Sequence, residues 1–130
     1  MSNKPNKKFS LEKRVESFKY ALNGLKIVFI EEHNARIHLI VSLIAIACGF
    51  IFHISTVEWI IICFAIGLVI SMEIINSAIE NLSDFVSPEH HKLIKKVKDL
   101  SAAAVLVCTI SSVVIGILVF LPKIAHLFGR

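Results

Sequence analysis

No glycine-rich loop occurs in this sequence, and its five glycines stand apart from one another. That excludes the backbone cradle that P-loops build around phosphates. Any nucleotide chemistry therefore needs a site of a different construction. No serine, histidine and aspartate fall at the spacings of a hydrolase triad, and no cysteine and histidine spacing fits zinc. There is no internal repeat, low-complexity tract or linker, so 1–130 is taken as a single domain. The three cysteines, Cys48, Cys63 and Cys108, fall one in each of three apolar segments. Thiols in apolar surroundings are inert, and all three are expected to act as small core hydrophobes. Charge is scarce, at 18% of residues. A cleaved secretory signal is not expected, because an amphipathic stretch rather than a short apolar core follows the basic residues 1–8.

What is present is apolar. Hydrophobic residues make up 55% of the chain and the mean hydropathy is +0.75, too high for an ordinary soluble domain. Residues 37–54, 57–79 and 100–121 each approach the roughly 20 residues that cross a bilayer core. Residues 1–9 form a polar tail, and 10–33 predict an amphipathic surface helix. In it Val15, Phe18, Leu22 and Leu25 form a stripe, with Lys13, Lys19 and Lys26 off it. Ser10 is its expected N-cap. The fold class is thus all-α and integral to the membrane, a surface helix plus three spans.

Basic residues set the orientation. Lys4, Lys7, Lys8, Lys13, Arg14, Lys19 and Lys26 precede the first span, and Lys92, Lys95, Lys96 and Lys98 lie between the second and third. The 53–58 loop has none. The positive-inside rule puts the N-terminus in the cytoplasm and the C-terminus outside, with Lys123 and Arg130 outvoted. The formal charge of +4 suits an anionic membrane surface rather than nucleic acid, because the charges flank spans. Ser87 and Pro88 predict the start of the third membrane helix, and Leu121 and Pro122 its end.

The second span carries Glu73, Asn76 and Glu80, at i, i+3 and i+7 on one helix face. Ionisable groups at membrane depth are costly and mark functional sites. Glu32 lies at the same cytoplasmic boundary as Glu80. Two carboxylates there repel unless a cation sits between them, and hard oxygen ligands that leave room for waters and phosphates suit Mg²⁺. The bland alternatives are solvated helix ends for Glu80 and Asp84, and a basic helix end near anionic lipid for His90, His91 and the lysines.

The run E-I-I-N-S-A-I-E at residues 73–80 resembles the prokaryotic diacylglycerol kinase family, as do Asp84, the S-P-E-H-H run at 87–91 and the K-D-L-S-A-A-A-V run at 98–105. Upstream, Tyr20, Gly24, Glu32 and Arg36 are similar to the same pattern. The resemblance implies a homotrimeric membrane-embedded lipid kinase that uses ATP and Mg²⁺. It implies that Glu73 is the general base, that Asn76 orients the region and that Glu32 and Glu80 hold the metal. Lys13, Tyr20, Glu89, His90, His91, Lys98 and Asp99 are implied to contact the nucleotide. Two positions depart from the pattern. His38 stands where diacylglycerol-specific members carry Glu and relatives acting on undecaprenol often carry His; His90 replaces a usual Tyr. The lipid alcohol stays open between diacylglycerol and undecaprenol, and the expected location is the inner (plasma) membrane. The rivals are a small proton-coupled multidrug transporter, which calls for four spans, and a non-catalytic membrane oligomer.

Overall fold

The computed structural model describes residues 10–89 and 91–129. The polar tail at 1–9 and His90 lie outside them. Four helices follow in order: α1 (Leu11–Glu31), α2 (His33–Ile51), α3 (Thr56–Val86) and α4 (Lys92–Phe128). The described residues contain no strand. Among them, α2, α3 and α4 are long and apolar enough to cross a membrane. Three such helices meet the expectation, and the four-span transporter finds no support. At 31 residues, α3 is about 46 Å long, well beyond the roughly 30 Å hydrocarbon core.

Caps explain most boundaries. Ser10 caps α1 by accepting from the Lys13 backbone N–H at 3.4 Å. α1 and α2 are separated only by Glu32, whose backbone is extended at φ −94°, ψ 118° and whose side chain caps neither helix. α3 opens with a reciprocal capping box. The Ser55 hydroxyl accepts from the Glu58 N–H at 3.3 Å, and Glu58 Oε2 accepts from the Ser55 N–H at 2.7 Å.

The start and end expected for the last helix are corrected. Ser87 is the C-cap of α3, with its N–H on the Ser83 carbonyl, and α4 begins at Lys92. Pro88 disfavours a helical Ser87, so it stops α3 instead of opening α4. The N-cap of α4 is His91, whose Nδ1 accepts from the Leu93 N–H at 3.2 Å. Pro122 lies inside α4, which runs to Phe128. A proline removes one backbone bond, but membrane helices tolerate the loss. The next residue, Lys123, forms an ion pair with Glu58 on α3 at 3.0 Å, which ties the two helices together there.

α3 is the central element. It packs most extensively against α4 and next against α2. At the end opposite its acidic face, Ile54, Ile62 and Val119 form a buried cluster with Phe52, Trp59, Ile66, Ile115 and Phe120 around it. Gly49 permits the close approach of Trp59: a Cβ there would lie 2.6 Å from the indole Cη2. Gly67 and Gly116 meet nothing comparable among the described residues. Cys48 and Cys108 are half-buried, but Cys63 is exposed on the outer face of α3, so it is no core residue of the chain. Ser111 bonds back to the Val107 carbonyl on its own helix at 2.9 Å. Ser112 instead reaches across to the Ala65 carbonyl of α3 at 3.4 Å.

Candidate active site

The face of α3 that carries Glu73, Asn76 and Glu80 turns into the bundle. Glu73 is 3% exposed and Asn76 8%, while Glu80 is half-buried. Ser77, at i+4 from Glu73, shares the face and is buried. The break between α1 and α2 delivers Glu32 to this face, where its Oε1 accepts a hydrogen bond from the Ser77 hydroxyl at 3.0 Å. From α4, the buried Ser101 hydroxyl lies 2.7 Å from Asn76 Oδ1. Asn76 Nδ2 donates to Glu80 Oε1 at 3.1 Å. Glu32, Glu80 and His38 all lie within electrostatic reach of Glu73. The α1–α2 break, α2, α4 and two turns of α3 thus gather three carboxylates, an amide, two hydroxyls and an imidazole.

The donor set suits a hard divalent cation. Glu32 and Glu80 each have one carboxylate oxygen in a hydrogen bond, so a second oxygen on each is open to a ligand. Among the described residues, no three His, Cys, Asp or Glu side chains come close enough to enclose a metal by themselves. Mg²⁺ does not need that, since it keeps several waters and takes substrate phosphates with only one or two carboxylates.

Below Glu73, an apolar cavity of about 270 Å³ opens between the three spans. His38 is at its polar end, and Ala45, Cys48, Val69, Gly116 and Phe120 are among its walls. Thr109, also in the lining, has a buried hydroxyl with no hydrogen-bond partner among the described residues. A second cavity, of about 700 Å³, lies where α3 gives way to α4. Its walls include Asp84, Glu89, His91, Lys95, Lys98 and Asp99. Lys98 and Asp84 form an ion pair at 2.9 Å, its carboxylate two-thirds exposed. Such exposed pairs contribute ~1 kcal/mol or less, so Lys98 is readily drawn to another anion.

The expected site residues therefore fall into groups. Glu32, Glu73, Asn76 and Glu80 converge inside the bundle. Glu89, His91, Lys98 and Asp99 line the second cavity. Lys13 and Tyr20 stand exposed on α1, apart from both. Tyr20 donates to Glu16 on its own helix at 2.7 Å, and that bond holds its phenol above the ordinary pKa. His90 lies outside the described residues. Ser77 and Ser101 were not among the expected residues. Ser77 had a signal, its i+4 spacing from Glu73. Ser101 had only membership in a small-residue run that also suits close packing, and its partner is on another helix.

The chain is similar to known proteins over most of its length. A family model described as prokaryotic diacylglycerol kinase matches residues 19–120. The undecaprenol kinase of Bacillus subtilis (strain 168) is 38% identical over 114 residues, covering 88% of this chain and 93% of that protein. The diacylglycerol kinase of Haemophilus influenzae is 33% identical over 108 residues, covering 82% and 92%. That of Synechocystis is longer; it is 31% identical over 112 residues, 85% of this chain and 64% of its own length. With a family match across most of its length and relatives above 30% identity, the chain belongs to the prokaryotic diacylglycerol kinase family and is a lipid kinase.

Proposed function

We propose that this enzyme transfers the γ-phosphoryl group of ATP to the hydroxyl of a membrane lipid alcohol, with undecaprenol preferred over diacylglycerol. The observation that carries the proposal is the buried Glu73, within electrostatic reach of Glu32, Glu80 and His38 and one turn of α3 beyond Val69, which with His38 lines an apolar cavity. A lipid alcohol has this same division, an apolar chain ending in one hydroxyl. Glu73 takes the proton of that hydroxyl as its oxygen attacks the γ-phosphorus, and the bond from phosphorus to the ADP oxygen breaks. A positioned general base contributes typically 10²–10⁴-fold, and positioning with charge neutralisation supplies most of the rest.

Asn76 holds Glu80 in place through its amide. Glu32 and Glu80 would hold Mg²⁺, which supplies positive charge against the phosphates when bound. Lys98, Asp99, Glu89 and His91 take the nucleotide in the second cavity, where Lys98 exchanges Asp84 for phosphate. Lys13 and Tyr20 lie apart from that cavity within one chain, and with His90 they complete the nucleotide site in a homotrimer whose sites are shared between subunits. α1 lies on the cytoplasmic surface of the inner (plasma) membrane, with its exposed Val15, Phe18 and Leu22 toward the lipid. The N-terminus is then cytoplasmic and the C-terminus outside. ATP reaches the site from the water and the lipid reaches it from the bilayer.

Two features favour undecaprenol. His38 stands beside Glu73, where diacylglycerol-specific members carry a carboxylate, and the 38% identical relative is an undecaprenol kinase. The relatives named diacylglycerol kinase keep diacylglycerol as the second reading. The test is phosphorylation by the purified enzyme in mixed micelles, with labelled ATP and each lipid in turn. Undecaprenyl phosphate as the faster product is the expected result. Phosphatidate as the faster product reverses the lipid assignment, and no labelled lipid from either alcohol overturns the proposal.

A further inference from the structure

We infer that Ser77 and Ser101 are positioning residues that set the two carboxylates holding the cation, Ser77 acting on Glu32 directly and Ser101 acting on Glu80 through Asn76. The inference rests on the proposed roles of Glu32 and Glu80.

A helical serine has an easy partner, the carbonyl one turn before it. Ser17, Ser42 and Ser111 use it, at 2.8, 2.7 and 2.9 Å. Ser77 does not. Its hydroxyl crosses from α3 to Glu32 at the α1–α2 break, 45 residues away in sequence. The Ser101 hydroxyl has a carbonyl on its own helix, that of Lys98 at 2.9 Å, yet lies nearer to Asn76 Oδ1 at 2.7 Å. Both serines are buried, where a hydrogen bond fixes geometry because no water competes for it.

The polarity of the second chain matters more than its length. A hydroxyl donates to Asn76 Oδ1, which leaves Asn76 Nδ2 to donate to Glu80. An asparagine without that donor can turn over and present its oxygen to the carboxylate, which repels it. Ser101 therefore decides which end of the Asn76 amide faces Glu80, and so how Glu80 is aimed. Ser77 has the same effect on Glu32, with one bond instead of two. Partners that orient metal-binding carboxylates change metal affinity typically 10–100-fold.

The test is Mn²⁺ binding to the purified full-length enzyme in micelles, with the β,γ-imido analogue of ATP present and free Mn²⁺ read by its electron paramagnetic resonance signal. Ser101→Ala and Ser77→Ala are each expected to weaken Mn²⁺ about tenfold, while Ser101→Thr, which keeps the hydroxyl, stays near wild type. In turnover assays the alanine variants should raise the Mg²⁺ concentration needed for half-maximal rate more than they lower kcat. Should Ser101→Ala not fold, by circular dichroism, Ser101→Cys, a weak donor of similar size, is expected to give an intermediate loss. Glu80→Gln separates the two levels of the argument. Normal Mn²⁺ affinity in both serine variants, with Glu80→Gln weakened, overturns the positioning inference alone. Normal affinity in Glu80→Gln overturns the metal assignment and the inference with it.

Discussion

Glu73 is the residue on which the proposed chemistry turns, and its environment makes a sharp test possible. It is buried in apolar helices with two other carboxylates in reach, so it is costly to the fold whenever charged. Glu73→Gln is nearly isosteric. It is expected to lower kcat by ~10²–10⁴-fold while the thermal unfolding midpoint stays level or rises. Near-normal turnover would remove Glu73 as the base. On the same proposal His38 bears on the lipid rather than on the phosphoryl group. His38→Glu is expected to shift the ratio of kcat/KM for undecaprenol over diacylglycerol toward diacylglycerol; an unchanged ratio would mean that position 38 does not read the lipid. At this scale the sequence was informative about acidic groups and uninformative about their neighbours. Glu73, Asn76 and Glu80 stand out because polar residues in an apolar span are few. Ser77 and Ser101 do not, because a serine in a helix is ordinarily content with its own backbone.

Among the elements, α3 carries the candidate site, and α2 and α4 pack around it. Gly49 on α2 gives a direct measure of that packing. Gly49→Ala forces a Cβ to within 2.6 Å of the Trp59 ring, and over-packing of this kind costs about 1–3 kcal/mol. A lower unfolding midpoint and a shifted Trp59 fluorescence are expected. Gly67→Ala meets nothing within the chain, so a comparable loss there would mark a contact between subunits. Gly116 is in the wall of the apolar cavity and also has open space beside it. Gly116→Leu fills part of that space. It is expected to raise KM several-fold for a long-chain alcohol and to leave a short isoprenoid alcohol unaffected; equal effects on both would exclude the cavity as the chain's seat. The start of α1 was legible because Ser10 caps its own helix. The start of α4 was not, because Pro88 stops α3 and a histidine, His91, makes the cap. The proline at 122 also reads as a stop, but a membrane helix tolerates the lost backbone bond, and α4 runs on to Phe128.

For the whole molecule, composition and charge order determined the class before any coordinate was needed. Three apolar segments, one of them with an acidic face, leave few folds available, because the bilayer requires each span to satisfy its backbone within a helix. The acidic face of α3 and the resemblance of its motif carried the lipid-kinase activity. What only the tertiary structure decided is which groups meet. Glu32 reaches α3 because the chain breaks at a single extended residue between α1 and α2, and Ser101 reaches Asn76 because α3 and α4 pack closely. Neither contact has a sequence period, since each joins residues far apart in the chain. The sequence therefore specified the helices and their chemistry through local and compositional signals. The site's geometry came from hydrogen bonds across helices, whose partners are chosen by packing rather than by spacing.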